Sequence, residues 1–377
     1  MRFLIVSEGQ ATKGQSLSSR LLETVDEAVH AEKMGFDGYG TSEQHFFNNF
    51  CSISSPEVLY GAMAQATHSI KLRTMAIVTL KYNHALRIAE RLATIDVLSR
   101  GRLEFGTARS NNAAYMKPLG ADPRTTREEW DESFEVVIRA MTQRPVEFHG
   151  KYYDFGPLDS VTPRPYAGCP PIYVSASSEE THRIAGALGI GVMTFDTWFG
   201  WDYTRKAFKA YDEAVQNPKP IGGLYKPTVS KGIFVATAHC AETKERAYNE
   251  VRPVAHGFAK IVVSMYNDLF AAGGYDYLKP LKEQLEAHVT DIDYLQEISP
   301  SMCIGDPDFC IERIKRFQDM GADEVILRID AMGHRTNMRS IEMFGKYVIP
   351  AFRNPLDCPA ADDLEIYGVE NVPRFVL

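Results

Sequence analysis

Residues 71–109 read KLRTMAIVTLKYNHALRIAERLATIDVLSRGRLEFGTAR. The run from Lys71 to Val78 is short and apolar, as a strand buried on both faces is. From His84 to Leu98 the apolar residues return every three or four positions, the period of a helix with one buried face. Gly101 closes that helix, and Arg102 to Thr107 reads as a second strand. Two strands joined through a helix form a crossover unit, and crossover units lay their strands parallel.

The alternation continues in both directions. Toward the N-terminus come a strand at Phe3 to Val6, a helix from Leu17 to Met34 stopped by Gly35, and a strand at Gly38 to Gly40 that leads into Ser42-Glu43-Gln44-His45. A helix from Pro56 to Thr67 follows, with Pro56 in its first turn. Toward the C-terminus the pattern gives a helix at Thr125 to Met141, a hairpin at Val146 to Tyr153, and strand Ile172 to Ser175. Then come helix Glu179 to Leu188, strand Gly191 to Phe195, helix Tyr203 to Val215 and strand Ser230 to Ala236. Glu242 to His288 reads as two long helices interrupted at Gly273-Gly274-Tyr275-Asp276, too long for a crossover and therefore an insertion after the seventh strand. Asp306-Pro307 caps a helix that runs to Met320, Glu324 to Ile329 is an eighth strand, and Met338 to Ala351 is the last helix. Eight units without a linker predict an α/β fold, a single (β/α)8 TIM barrel over residues 1–352. Residues 353–377, with Pro355, Pro359 and Pro373, read as an irregular C-terminal tail.

Composition narrows the function. The chain has 377 residues, 45% hydrophobic and 24% charged, which is ordinary for a globular protein. A formal net charge of −8 and the lack of any lysine or arginine run oppose a nucleic-acid surface. The opening MRFLIVSEGQ turns polar too soon for a leader peptide, and no apolar run approaches the ~20 residues that cross a bilayer. Cys51, Cys169, Cys240, Cys303, Cys310 and Cys358 include no C-x-x-C pair, so neither a disulfide framework nor a zinc ribbon is indicated. The expectation is a cytoplasmic protein with buried thiols, no metal site, no nucleic-acid partner and no membrane contact.

In a barrel of this kind the chemistry sits where the strands end. Those ends are Ser7-Glu8-Gly9, Glu43-Gln44-His45, Ala76 to Thr79, Ala108-Arg109-Ser110-Asn111, Ala176-Ser177-Ser178, Asp196 to Trp201, and Asp330. Arg109 with Ser177 and Ser178 at a helix start would suit a phosphate, since the helix offers free N–H groups and arginine a two-pronged donor. A serine there also serves simply as a cap, and Arg109 could pair with a surface carboxylate. His45 is placed for a general base or for a purely structural contact. Trp198, Phe199 and Trp201 either wall an apolar cavity or pack the following helix. No metalloprotease, serine-hydrolase or nucleotide-loop motif is present.

Several motifs, in this order, resemble the bacterial luciferase family of flavin-dependent monooxygenases, and its catalytic α subunit in particular. They are Gly35-Phe36-Asp37, Ser42 to Phe46, Thr74 to Val78, Ser99 to Gly106, Ile172 to Ala176, Ile292-Asp293-Tyr294, Glu297 to Pro300, and Val348-Ile349-Pro350. The resemblance implies a two-component enzyme. FMN would arrive as FMNH2 from a separate flavin reductase, form a C4a-hydroperoxyflavin with O2, and oxygenate a small apolar or aromatic substrate by hydroxylation or Baeyer–Villiger insertion. It implies that Arg109 holds the FMN phosphate with Ser177, Ser178 and Thr181, Ser177 standing at an acidic position of the family. It implies a cis peptide at Met75-Ala76 beneath the flavin ring and a homodimer. Residues 256–291 resemble a mobile lid hinged at Gly273-Gly274, the alternative being two static helices with an ordinary turn. Tyr115 joins Trp198, Phe199 and Trp201 as a candidate pocket residue.

Two positions depart from the family pattern. Gln44 stands where the luciferase α subunit has its principal catalytic histidine, and an amide is no base. His45 aligns with the second histidine, which leaves Gln44 and His45 as the candidate catalytic pair. Ala108 replaces the reactive cysteine under the flavin, so light emission is not the expected activity. A non-catalytic flavoprotein subunit and a deazaflavin-dependent dehydrogenase on the same fold are the competing readings.

Overall fold

The protein, described here from a computed structural model, is defined for residues 1–353 apart from 48–50, 111, 196, 273–278 and 289–290. Eight parallel strands form its centre: β1 Arg2–Ser7, β2 Gly38–Thr41, β3 Lys71–Thr74, β4 Leu103–Ala108, β5 Ile172–Ala176, β6 Gly191–Thr194, β7 Lys231–Val235 and β8 Glu324–Arg328. Each pairs with the next, β3 pairs with β4, and β8 returns to β1 with Phe3 opposite Val325, so the sheet closes into a barrel. The helices are α1 Leu17–Lys33, α2 Pro56–Ala66, α3 Ala85–Leu98, α4 Thr126–Thr142, α5 Glu179–Leu188, α6 Trp201–Ala214, α7 Lys244–Ala272, α8 Lys279–His288, α9 Ile292–Ile298, α10 Pro307–Asp319 and α11 His334–Met343.

Strand periodicity divides the core in two. Phe3, Ile5, Ile233, Val235, Val325 and Leu327 join the apolar layer against the helices. Their neighbours Leu4, Val6, Phe234 and Ile326 join a second cluster that fills the barrel. Alternate side chains of one strand thus enter separate cores, which is why these runs show no polar face in the sequence.

The N-terminal end of the barrel is sealed by charge. Arg73, fully buried, donates from Nε to Glu104 at 2.7 Å, pairs with Glu324, and lies 3.5 Å over the Tyr173 ring. Arg2 reaches the same two carboxylates at 2.8 and 3.1 Å, and the Ser230 hydroxyl donates to Glu324 at 2.5 Å. Burial alone would raise the Glu324 carboxyl, but Arg73 and Arg2 outweigh it and hold it at about 2. Above this layer Gly106 lets β3 and β4 approach closely. A Cβ there would meet the Thr74 carbonyl oxygen at 1.9 Å, while the Thr74 hydroxyl bridges both backbone groups of Gly106 at 2.7 Å.

Local features differ from the sequence reading: the expected hairpin pairs Val146–His149 with Asp154–Leu158, and helices Ala113–Met116 and Ile292–Ile298 are additional. The strand expected over Lys71 to Val78 breaks at the cis Met75–Ala76 bond, and Ile77–Val78 pairs again with β4. Thr237–Cys240 and Met302–Gly305 form an additional parallel pair outside the barrel, too short to stand out from the surrounding apolar sequence. The last helix starts at His334 and passes into a π turn, Phe344–Val348, and a short 3-10 turn bearing Pro350. The insertion is two helices, α7 and α8, as expected; its Gly273-Gly274-Tyr275-Asp276 break and residues 354–377 of the tail lie outside the described residues. Among the described residues no helix is long and apolar enough to cross a membrane.

Candidate active site

The C-terminal strand ends build a mouth with three walls. The first is an anion cradle between β4 and β5. Thr107 pairs with Val174, so Arg109, two residues on, arrives beside the start of α5. Ser178 is the N-cap of α5, with extended backbone and its Oγ accepting from Thr181 N at 3.2 Å, so the capping reading holds. Ser178→Ala should therefore cost about 1 kcal/mol of stability in urea unfolding, the usual worth of such a cap. The Ser177 carbonyl is held by the Tyr203 hydroxyl at 2.8 Å. Arg109 is half-buried and makes no hydrogen bond or ion pair with any described residue, and Asp131 is the carboxylate that feels its charge. Sequence reasoning missed Arg127, in the first turn of α4, whose Nη2 donates to Thr181 Oγ1 at 2.9 Å. Burial raises the Asp131 carboxyl, and Arg127 and Arg109 both pull against that shift. Two cations, a helix N-terminus, and hydroxyls at 177, 178 and 181 form a donor set that fits a phosphate monoester.

The second wall, at the ends of β2, β3 and β4, is polar. His45 Nε2 lies 3.0 Å from Glu43 Oε1, while Glu43 Oε2 accepts from Val78 N at 2.9 Å. Gln44 Oε1 accepts from Asn112 Nδ2 at 3.4 Å. The His45 ring meets the edges of Tyr115 and Tyr82 at centroid distances of 5.2 and 6.3 Å. Tyr115 is buried, shares a 2.5 Å hydrogen bond with Ser110, and has its phenol pushed up by burial, so it stays protonated. Below them the buried Glu8 accepts from the Ser42 hydroxyl, and burial raises its carboxyl against the pull of Arg328. Asp330 fixes this corner by accepting from the Glu8 and Gln10 amides at 2.7 and 3.2 Å and from Arg20 at 3.1 Å. No local pattern in the sequence marks Glu8 or Arg127, because their partners lie 34 and 54 positions away.

The third wall is apolar. Met75 and Ala76, joined by the cis bond that the resemblance implied, share one buried cluster with Trp198, Cys51 and Ile53, and Ala108 and Phe199 pack against it. Phe195 stacks on Phe234 with ring centroids 4.3 Å apart. Trp201 is a correction to the sequence grouping. Its indole donates to the Glu297 carbonyl at 2.9 Å and is covered by the Arg316 guanidinium at 3.6 Å and by Phe317, within the outer layer of helices. Trp198 and Phe199 remain at the mouth, and Trp201 packs α6 against α10. Among the described residues no three His, Cys, Asp or Glu side chains converge as metal ligands.

Residues 1–324 match the family described as luciferase-like monooxygenase. The limonene 1,2-monooxygenase of Rhodococcus erythropolis is 26% identical over 338 residues, covering 87% of this chain and 80% of that protein. The alkanal monooxygenase alpha chain of Photobacterium leiognathi is 25% identical over 342 residues, covering 87% and 92%. Among solved structures, the oxygenating constituent of 3,6-diketocamphane monooxygenase from Pseudomonas putida, a type II Baeyer–Villiger enzyme in complex with FMN, superposes with a TM-score of 0.72 at 19% identity. It covers 96% of this chain and 99% of that one.

Proposed function

The chain belongs to the luciferase-like monooxygenase family, and from that premise we propose that it is the oxygenase of a two-component system, taking reduced FMN from a separate flavin reductase to oxygenate a small apolar or aromatic molecule with O2. The observation that carries this reading is Arg109, which makes no hydrogen bond or ion pair with a described residue and follows β4, whose register with β5 leads toward the N-terminus of α5. Reduced FMN, when bound, supplies the electrons that activate O2. Arg109 and Arg127, with Ser177, Ser178 and Thr181, would hold its phosphate. Met75, Ala76 and Ala108 would support the ring, Ala108 leaving more room than a thiol would. Trp198, Phe199 and the Phe195–Phe234 stack would wall the substrate, with Tyr115 and His45 at its polar end. Gln44 would position by hydrogen bonding only, since its amide takes up no proton at neutral pH.

Water must be kept from such a site, and the proposal assigns that role to residues 256–291 as a lid on the barrel domain 1–352, with 353–377 as a separate tail. A homodimer is part of the reading. The α2–α3 face carries Val58 and Leu98, 72% and 43% exposed, in a groove with Arg87 and Arg91. Dependence on a reductase suits a cytoplasmic location.

The test is stopped-flow absorbance after mixing the protein, photoreduced FMN and oxygenated buffer. The expected result is a transient that free flavin lacks and that a substrate shortens. Flavin reoxidation at the free-flavin rate, with binding of reduced FMN confirmed, overturns the proposal. Turnover of a reduced deazaflavin without O2 uptake would replace it by hydride transfer.

A further inference from the structure

The replacement of a histidine by Gln44 leaves the site in need of a group that moves protons, and the geometry around His45 shows which atom is available. Glu43 is buried and immobilised. Its Oε2 accepts from the Val78 amide at 2.9 Å, and Asn83 Nδ2 approaches both carboxylate oxygens at 3.3 and 3.4 Å while donating to the Val78 carbonyl at 3.1 Å. The remaining valence of Oε1 faces His45 Nε2 at 3.0 Å. A carboxylate can only accept, so neutral His45 carries its proton on Nε2 and presents a bare lone pair at Nδ1. Nδ1 makes no hydrogen bond to a described residue and is not among the fully buried atoms that lack a partner, and the His45 side chain is 19% exposed at the end of β2. The edges of Tyr82 and Tyr115 hold the ring plane.

We propose that Glu43 is a positioning residue that fixes His45 in the Nε2–H tautomer, making Nδ1 the proton acceptor of the site. An O–H bond of a reacting group breaks as the Nδ1–H bond forms. The imidazolium then carries both N–H bonds, its charge balanced by Glu43, and the same proton returns when the transfer reverses. The groups facing His45 are Glu43 from the end of β2, Tyr82 from the turn after Val78, and Tyr115 from beyond β4. Burial raises both phenols, so both stay protonated beside the ring. The catalytic consequence rests on the monooxygenase reading; the tautomer does not.

The experiment is histidine-labelled nitrogen NMR of the full ligand-free chain across pH, with His45→Gln to assign the signal and Glu43→Gln as the probe. The wild type should show Nε2 protonated in the neutral form. Glu43→Gln should lower the His45 midpoint by about one pH unit and mix the tautomers, because a neighbouring opposite charge has been removed. In turnover, kcat of Glu43→Gln should fall about 10- to 100-fold with KM within about twofold, and the limb where activity rises with pH should move to lower pH. A wild-type spectrum with the proton on Nδ1 overturns the proposal whether or not any variant folds. So does an unchanged midpoint in Glu43→Gln, or a raised KM with kcat intact. A shifted midpoint in a protein that never consumes O2 keeps the dyad and rejects the monooxygenase reading instead.

Discussion

Replacing Arg109 with alanine is expected to weaken FMN binding by about 100-fold while leaving riboflavin binding within about twofold. A two-pronged charged hydrogen bond to phosphate is worth roughly 3 kcal/mol, and 1.4 kcal/mol is tenfold. The contrast between the two ligands matters more than the size of the loss, since they share the ring and differ in the phosphate. Arg109 makes no hydrogen bond or ion pair with a described residue, and Asp131, which feels its charge, keeps Arg127, so alanine should not unfold the barrel. Anaerobic titration of the reduced flavins, followed by protein fluorescence, gives both constants. Equal losses for FMN and riboflavin would mean that Arg109 acts on the ring or on the fold, and the cradle would have to be placed elsewhere. Arg109→Lys should lie between, because an ammonium keeps the charge and loses the fork.

The second large effect lies at the opposite end of the barrel. Arg73→Ala leaves Glu104 and Glu324 facing each other in a buried site with only Arg2 to compensate, and should cost roughly 3–5 kcal/mol of stability. Urea midpoints of wild type and variant measure it. The pH dependence has a definite sign. In the folded wild type Glu324 is held at about 2, below the ordinary 4.5. Its contribution is complete above about pH 4.5 and is lost as pH falls toward 2. Without Arg73 the main cause of that depression is gone, so the gap between variant and wild type should narrow across this window on acidification. A gap that stays constant with pH would assign the loss to missing packing over Tyr173 rather than to charge.

The barrel was legible because its determinants are local. Pro56, Gly101, Gly321 and the Asp306-Pro307 cap mark ends of elements within a few residues, and all eight strands fall where the apolar runs are. The mouth was legible as positions on strand ends, which is enough to nominate Arg109, Ser178 and His45. What escaped are contacts between distant elements. Arg127 reaches Thr181 from another helix, Glu8 meets Ser42 from the neighbouring strand, and the Arg73 network joins residues up to 322 positions apart. Trp201 shows the converse limit. Three positions after Trp198 it begins α6, and the helix turns its indole to the outside, which a cluster of aromatics in the sequence does not reveal.

The return of β8 to β1 also governs how the molecule is made. Arg2 pairs with Glu324 across 322 positions, so β1 receives its second neighbour only after the other strands of the barrel have been made. At roughly 5–20 residues per second that interval is roughly 15–60 s, during which the nascent sheet has two open edges of unpaired amides and carbonyls. Arg73 and Arg2 have only Glu104 as a carboxylate partner for the same period, since Glu324 arrives with β8. Nascent chains with open sheet edges are the ones most open to capture by chaperones or by one another.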